Sequence, residues 1–255
     1  MNQGLKIAGV TPNLSAVMPK PTHYRNDPGA PEVTWTHSFL DLFLHFVPKD
    51  LESVLDAGCG RGIVGALARI YREPNRVVGI DGFDPYLQFC RRTGMYDQLI
   101  EHDLRKLPLP FKSDEFDLAT SLEVIEHLPK EDGVRLLEEL ERVSRMVIVS
   151  TPNRFFKQDP YDENPFQSHV SRWKVSDFVR RGYSVYGAGG LLILGKEIPM
   201  LSYALGRFTI PFPRLSGTLL CAYSRTSHRR ASFPVHLSGL APLMTRKAGY
   251  DSTQQ

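Results

Sequence analysis

The stretch Ser53-Val54-Leu55-Asp56-Ala57-Gly58-Cys59-Gly60-Arg61-Gly62, which runs straight into a helical pattern at 63–70, constrains this chain most. A short apolar run ends in a carboxylate, three glycines alternate, and a helix begins. That is a strand turning sharply into a helix. Glycine reaches backbone angles that other residues avoid and keeps Cβ atoms out of a ligand's way. A small molecule can therefore lie directly on the backbone at the carboxyl end of a strand, where open α/β sheets bind ligands.

Two readings of the loop compete, beside the bland one of a glycine-rich turn that binds nothing. Gly60, Gly62 and Gly65 fit the dinucleotide pattern G-x-G-x-x-G, with Asp81 about 20 residues further on. The other reading starts at Asp56, two residues ahead of Gly58. A carboxylate there would repel an approaching pyrophosphate and welcome a cationic ligand.

The chain has 255 residues, enough for one well-buried α/β domain with a modest appendage. A net charge of +3 does not by itself imply nucleic acid, and none is expected as a partner. The charge is uneven: beyond Pro199 it comes from Arg207, Arg214, Arg225, Arg229, Arg230, Arg246 and Lys247 against Asp251. A solvated basic tail is the simplest reading of that bias. Cys59, Cys90 and Cys221 have neither metal-like spacing nor even pairing, and read as reduced thiols of a cytoplasmic protein. The beginning of the chain lacks the layout of a signal peptide, and no run reaches the ~20 apolar residues that span a bilayer.

Prolines at 12, 19, 21, 28 and 31 mark residues 1–35 as an extended arm. A helix capped by Thr36 and stopped by Pro48 precedes the first strand, 54–57. Further strands are expected at 76–81, 98–101, 116–121, 146–150, 183–186 and 219–223. Helices are expected at 63–71, 86–92 (capped by Asp84 and opened by Pro85), 132–143 and 174–181. Strands alternating with helices predict a doubly wound, mostly parallel sheet over 36–225, followed by a basic, flexible tail over 226–255. The apolar, proline-broken insert 187–213 is read first as a helical hairpin capping the pocket and second as a peripheral membrane contact.

Four motifs occur in order: Val-Leu-Asp-Ala-Gly-Cys-Gly-Arg-Gly at 54–62, Val-Gly-Ile-Asp at 78–81, Glu-Val-Ile-Glu-His-Leu at 123–128 and Ser-Thr-Pro-Asn at 150–153. The series resembles the class I S-adenosylmethionine-dependent methyltransferases, above all the small-molecule group that includes the ubiquinone-pathway O-methyltransferases. The resemblance covers about residues 51–225 and implies a seven-stranded Rossmann-like sheet whose last strand is antiparallel. It also implies that S-adenosylmethionine is the cofactor and S-adenosylhomocysteine the product. Asp56, Gly58, Gly60 and Gly62 would hold the methionine end. Asp81 would accept both ribose hydroxyls, as a carboxylate can; a helix-capping Asp is the alternative. Phe83 would flank the adenine. Asp103 would accept the adenine amino group, with the Leu104 amide facing the ring; a plain loop aspartate is the alternative.

Glu123, Glu126 and His127 admit three readings. They form a strand end that lines the cofactor pocket, or His127 serves as a general base, or the group binds a divalent metal with His169 as a fourth ligand. The metal set resembles that of some quinone-pathway O-methyltransferases and of small-RNA 2′-O-methyltransferases. It ranks behind the metal-free readings. The aromatic loop 155–173 follows the fifth strand and is expected to form a substrate wall through residues such as His169 and Trp173. The acceptor expected overall is an oxygen of a small, apolar molecule, with Glu123, His127 and His169 as catalytic candidates. An RNA 2′-O-methyltransferase and a non-catalytic cofactor-binding partner protein are the alternatives.

Overall fold

A computed structural model describes residues 37–160, 162–193, 196–197 and 208–225. The expected arm, the Thr36 cap and the basic tail lie outside the described residues. The first helix, α1 (His37–Phe46), buries Phe39, Leu42 and Phe43 at the three- and four-residue spacing that puts them on one face. Then follow β1 (Ser53–Ala57), α2 (Ile63–Tyr71), β2 (Arg76–Asp81), α3 (Asp84–Thr93), β3 (Gln98–Glu101) and β4 (Phe116–Leu122). The second half holds α4 (Lys130–Val143), β5 (Ser144–Pro152), α5 (Val175–Val179) and β6 (Ser184–Gly187). It ends with the short pair β7 (Leu192–Ile193) and β8 (Lys196–Glu197), and then β9 (Thr218–Ser224).

Seven strands form one sheet in the order β3-β2-β1-β4-β5-β9-β6. The first five pair in parallel, whereas β9 runs antiparallel to both β5 and β6. This is the doubly wound, mostly parallel architecture read from the sequence. Strand order grows outward in one direction from β1 to β3 and in the other from β4 to β5. The crevice over the ends of β1 and β4 is thus the switch point at which such sheets bind ligands.

Neighbouring strand residues serve opposite faces. Leu55, Ile80 and Val149 pack with Leu136, Leu137 and Leu140 of α4. Val54, Val77 and Ile148 pack instead with Phe43 of α1 and Val64 of α2. Both faces are covered, which is why these strands are apolar in succession and do not alternate. Each such side chain contributes about 1.5–3 kcal/mol by leaving water.

Three expectations need correction. Asp84 does not cap α3: the helix starts at that residue, Phe83 holds the cap position, and the Asp84 carboxylate accepts from Gln88 and Arg91 one and two turns on. A carboxylate inside the first turn still faces the positive end of the helix dipole. Helix α5 ends at Val179, before Arg181, and Gly182 (φ 87°) turns the chain into β6. In the insert, β7 and β8 pair antiparallel, so this part is a hairpin of strands and not of helices. Leu192 pairs with Glu197 and Ile193 with Lys196. Residues 198–207 of the insert lie outside the described residues.

Candidate active site

At the end of β1 the chain turns through Gly58, Gly60 and Gly62, with φ of 83°, 50° and 84°. The Gly58 and Cys59 amides donate to the Ile80 carbonyl at 2.8 and 2.9 Å, binding the loop to β2. A Cβ on Gly58 would stand 2.4 Å from Val124 Cγ2, so the loop closes directly on the segment after β4. Gly60 faces open space on its Cβ side. Asp81, at the tip of β2, accepts the Gly60 amide on Oδ2 at 2.8 Å and the Phe83 amide on Oδ1 at 2.9 Å. Burial raises its pKa, and these amides oppose the rise. The Gly82 amide acts in the same sense, and of the carboxylate's roughly four acceptor sites at least one stays open for a further donor. Phe83 meets Tyr86 edge to face, with centroids 5.0 Å apart.

Beyond β3, the Asp103 carboxylate is clamped by its neighbour Arg105, with Nε at 2.9 Å and Nη2 at 2.7 Å, and this partner holds its pKa low. Leu104 is buried beside it. Arg105 also lies over the ring of Phe166, 5.5 Å from its centroid. Asp56 is buried. Its Oδ1 accepts from Thr120 at 2.9 Å and its Oδ2 from Tyr96 at 2.7 Å. Sequence reasoning missed Tyr96 and Thr120, neither of which stands in one of the four motifs.

After β4, Glu123 adopts φ 55°, a left-handed turn that aims its side chain at β5, where Ser150 donates to Oε1 at 2.7 Å. Glu126 is buried, with Thr151 donating to Oε2 at 3.0 Å, while its Oε1 has no partner. Burial pushes Glu123 up to about 7 and Glu126 well above the usual carboxylate range, where the adjoining carboxylate adds to the rise. The two carboxyls titrate as a linked pair.

His127 Nδ1 faces the Ser168 carbonyl at 3.2 Å and His169 Nδ1 faces the Phe156 carbonyl at 3.1 Å. With the ring protons on Nδ1, as these contacts suit, each Nε2 offers a lone pair, and the Gln167 and Glu123 backbones also interact with the His127 ring. The imidazoles lie 4.8 Å apart. Burial, together with the neighbouring His169, lowers His127 to about 4, so it is neutral at pH 7 and weak as a free base. Ligand atoms of Glu126, His127 and His169 fall within 4.8 Å of one another. Neutral imidazoles held by carbonyls beside an orphaned carboxylate oxygen suit a divalent ion. Glu123 stands outside this trio.

The loop after β5 is fastened over the glycine turn. Asp162 accepts from Arg61 at 2.6 Å and from Tyr86 at 3.2 Å, and Phe166 rests against Gly82. Trp173 does not join any wall. It is 1% exposed, donates to the Ile125 carbonyl at 3.2 Å and stacks near Phe178. The long loop ends before it, and core packing claims the ring.

A glycine cradle at the switch point of a seven-stranded sheet with one antiparallel strand defines a Rossmann-like methyltransferase fold. Residues 54–146 match the family model described as a methyltransferase domain. Over 128 residues the chain is 32% identical to the bifunctional methionine biosynthesis protein MetXA/MetW of Rhodopirellula baltica, covering 46% of this chain and 19% of that protein. A relative from Encephalitozoon cuniculi, provisionally named a methyltransferase, is 31% identical over 152 residues, 55% of this chain and 66% of the relative. The chain thus spans less than two thirds of either. Among solved structures, an S-adenosylmethionine-dependent methyltransferase from Archaeoglobus fulgidus superposes with a TM-score of 0.52 at 15% identity, over 73% of this chain and 91% of that one. A chain of the Haloferax volcanii complex between the Trm112 methyltransferase activator and a methyltransferase gives 0.53 at 19% identity, over 73% and 88%. Residues 54–146 are thus similar to a methyltransferase domain, carried on a fold shared with S-adenosylmethionine-dependent methyltransferases.

Proposed function

We propose that this protein transfers a methyl group from S-adenosylmethionine to an oxygen of a small, apolar acceptor. The observation that carries the reading is the cradle: three left-handed glycines with Asp81 hydrogen-bonded across them, closed against the segment that bears Glu123, Glu126 and His127. When bound, the cofactor supplies an activated methyl on a sulfonium. The residues would do the rest: the glycine turn and Asp56 hold the methionine end, Asp81 the ribose, and Phe83, Asp103 and Leu104 the base. Alignment and exclusion of water supply most of the rate, since the leaving group is already activated. Calorimetry with S-adenosylhomocysteine and with NAD tests the cofactor directly. Wild-type protein binds the first and not the second, and Asp81→Ala weakens binding by at least tenfold; binding of NAD in its place removes the reading.

A second reading is favoured by one specific feature, the unpartnered Glu126 Oε1 in a cluster with the His127 and His169 rings. Glu126, His127 and His169 would hold a divalent metal, with Glu123 close by, and the metal would lower the pKa of a bound hydroxyl. This supports either a metal-assisted small-molecule enzyme or an RNA 2′-O-methyltransferase. Activity that survives chelation removes the metal, and absence of RNA binding removes the RNA substrate. A protein that binds cofactor and methylates no acceptor would be the non-catalytic partner. Cytoplasmic residence, inferred from cysteine usage, belongs to the same reading. Among the described residues no helix is long and apolar enough to cross a membrane. Peripheral contact through 187–213 is supported by Phe208 and Phe212, 59% and 48% exposed; liposome co-sedimentation at low and high salt decides it.

A further inference from the structure

Tyr96 lies in the turn between α3 and β3, outside every motif that marked the sequence. Its ring occupies the side-chain space of three glycines from three elements. A Cβ on Gly62 would stand 3.2 Å from its Cε2, one on Gly65 2.6 Å from its Cζ, and one on Gly79 2.9 Å from its Cδ1. Its hydroxyl donates to Asp56 Oδ2 at 2.7 Å and accepts the Gly65 amide at 3.2 Å. Gly65, which completes the dinucleotide-like G-x-G-x-x-G spacing, is therefore a glycine that admits a phenol ring, while Gly62 is required by its φ of 84° and by Cys90 Sγ, 3.0 Å from where its Cβ would stand. A bound diphosphate is not needed to explain them.

We infer that Tyr96 is the positioning residue of the cofactor cradle, its ring propping the glycine turn and its hydroxyl fixing the Asp56 carboxylate against the start of α2. The inference rests on the cofactor reading above. Thr120 on β4 holds the other Asp56 oxygen, so the carboxylate is fixed at both ends. The groups facing Asp56 are these two hydroxyls, the Asp81 carboxylate and the Cys59 and Cys90 thiols. Burial pushes Asp56 up to about 6; the Tyr96 and Thr120 hydrogen bonds oppose that rise, and Asp81 adds to it. A cationic ligand needs the ionised form, so affinity falls as pH drops through about 6. Loss of the Tyr96 donor moves that midpoint upward.

The test is calorimetric titration of S-adenosylhomocysteine into wild type, Tyr96→Phe, Asp56→Asn and the double variant between pH 5.5 and 8. Tyr96→Phe keeps the ring and is expected to bind about tenfold more weakly at pH 7.5, the loss of a hydrogen bond to a charged group. Its pH midpoint rises, and it adds no further loss in the Asp56→Asn background. A filler of space would move neither the midpoint nor the coupling. Wild type that does not bind S-adenosylhomocysteine overturns the cofactor reading and this inference together. Wild-type binding with an unresponsive Tyr96→Phe overturns this inference alone. If Tyr96→Phe does not fold, the cycle of Gly65→Ala with Tyr96→Ala replaces it: the double variant melts above Gly65→Ala if the ring occupies that space, and additive losses sink the claim.

Discussion

Trp173 shows what a single residue's surroundings decide. An aromatic at the end of a long loop reads as a ligand wall, and His169 four residues earlier does face the carboxyl cluster. Trp173 instead fills the space above Gly133, where a Cβ would meet its Cζ2 at 2.5 Å, and Lys130 lies over its ring at 3.3 Å. Trp173→Ala is therefore expected to cost about 3–5 kcal/mol of stability, read as a lower urea midpoint. A variant with wild-type stability and impaired turnover would restore the wall. The cradle was legible because Asp56, the glycines and Asp81 stand at fixed offsets along one strand–turn–helix unit. Tyr96 was not, because its partners Asp56, Gly65 and Gly79 come from elements joined only by the folded sheet.

At the scale of elements, the apolar runs ending in Asp56 and Asp81 located β1 and β2, and Pro85 located the first turn of α3. The periodicity of α4 placed its core face within two residues of its true start. The insert failed for a physical reason: a four-residue leucine and isoleucine run fits a strand or a helix turn equally well, and only its partner decides. The loop after β5 was read as irregular, but its fastening to the glycine turn needed three distant residues. Arg61, Asp162 and Tyr86 tie the two loops together at one carboxylate. Because Arg61 is half exposed, the pair adds little to global stability, on the order of 0–1 kcal/mol. Asp162→Ala should thus leave the melting temperature nearly unchanged while trypsin cuts faster at Arg154 or Lys157. Unchanged cleavage would show that Asp162 does not hold the loop and that Phe166 against Gly82 suffices.

For the whole molecule, the buried ionisable groups pull stability in opposite directions as pH changes. His127 titrates near 4 when folded and near 6.5 when unfolded, so the unfolded chain binds more protons between those values. Its contribution is lost as pH falls from 6.5 to 4. Glu123, at about 7, and Asp56, at about 6, lie above their unfolded values and bind protons first in the folded state. Their folded forms are favoured as pH falls through 7 and 6. Replacing His127 with Gln removes its share of the histidine slope and leaves that of His169 against the carboxyls, so the variant should gain urea stability between pH 7 and pH 5 relative to wild type. Parallel pH profiles for the two proteins would show that His127 is not held neutral by burial.

The antiparallel strand at the centre of the sheet's second half has a consequence for synthesis. Residues 218–224 must slot between β5 and β6, which are already made when they leave the ribosome. Until then the nascent chain displays two unpaired strand borders, each able to pair with a neighbour. A chain stopped after Gly217 should accumulate in the pellet during translation, and supplying a peptide of residues 216–225 in trans should return part of it to solution.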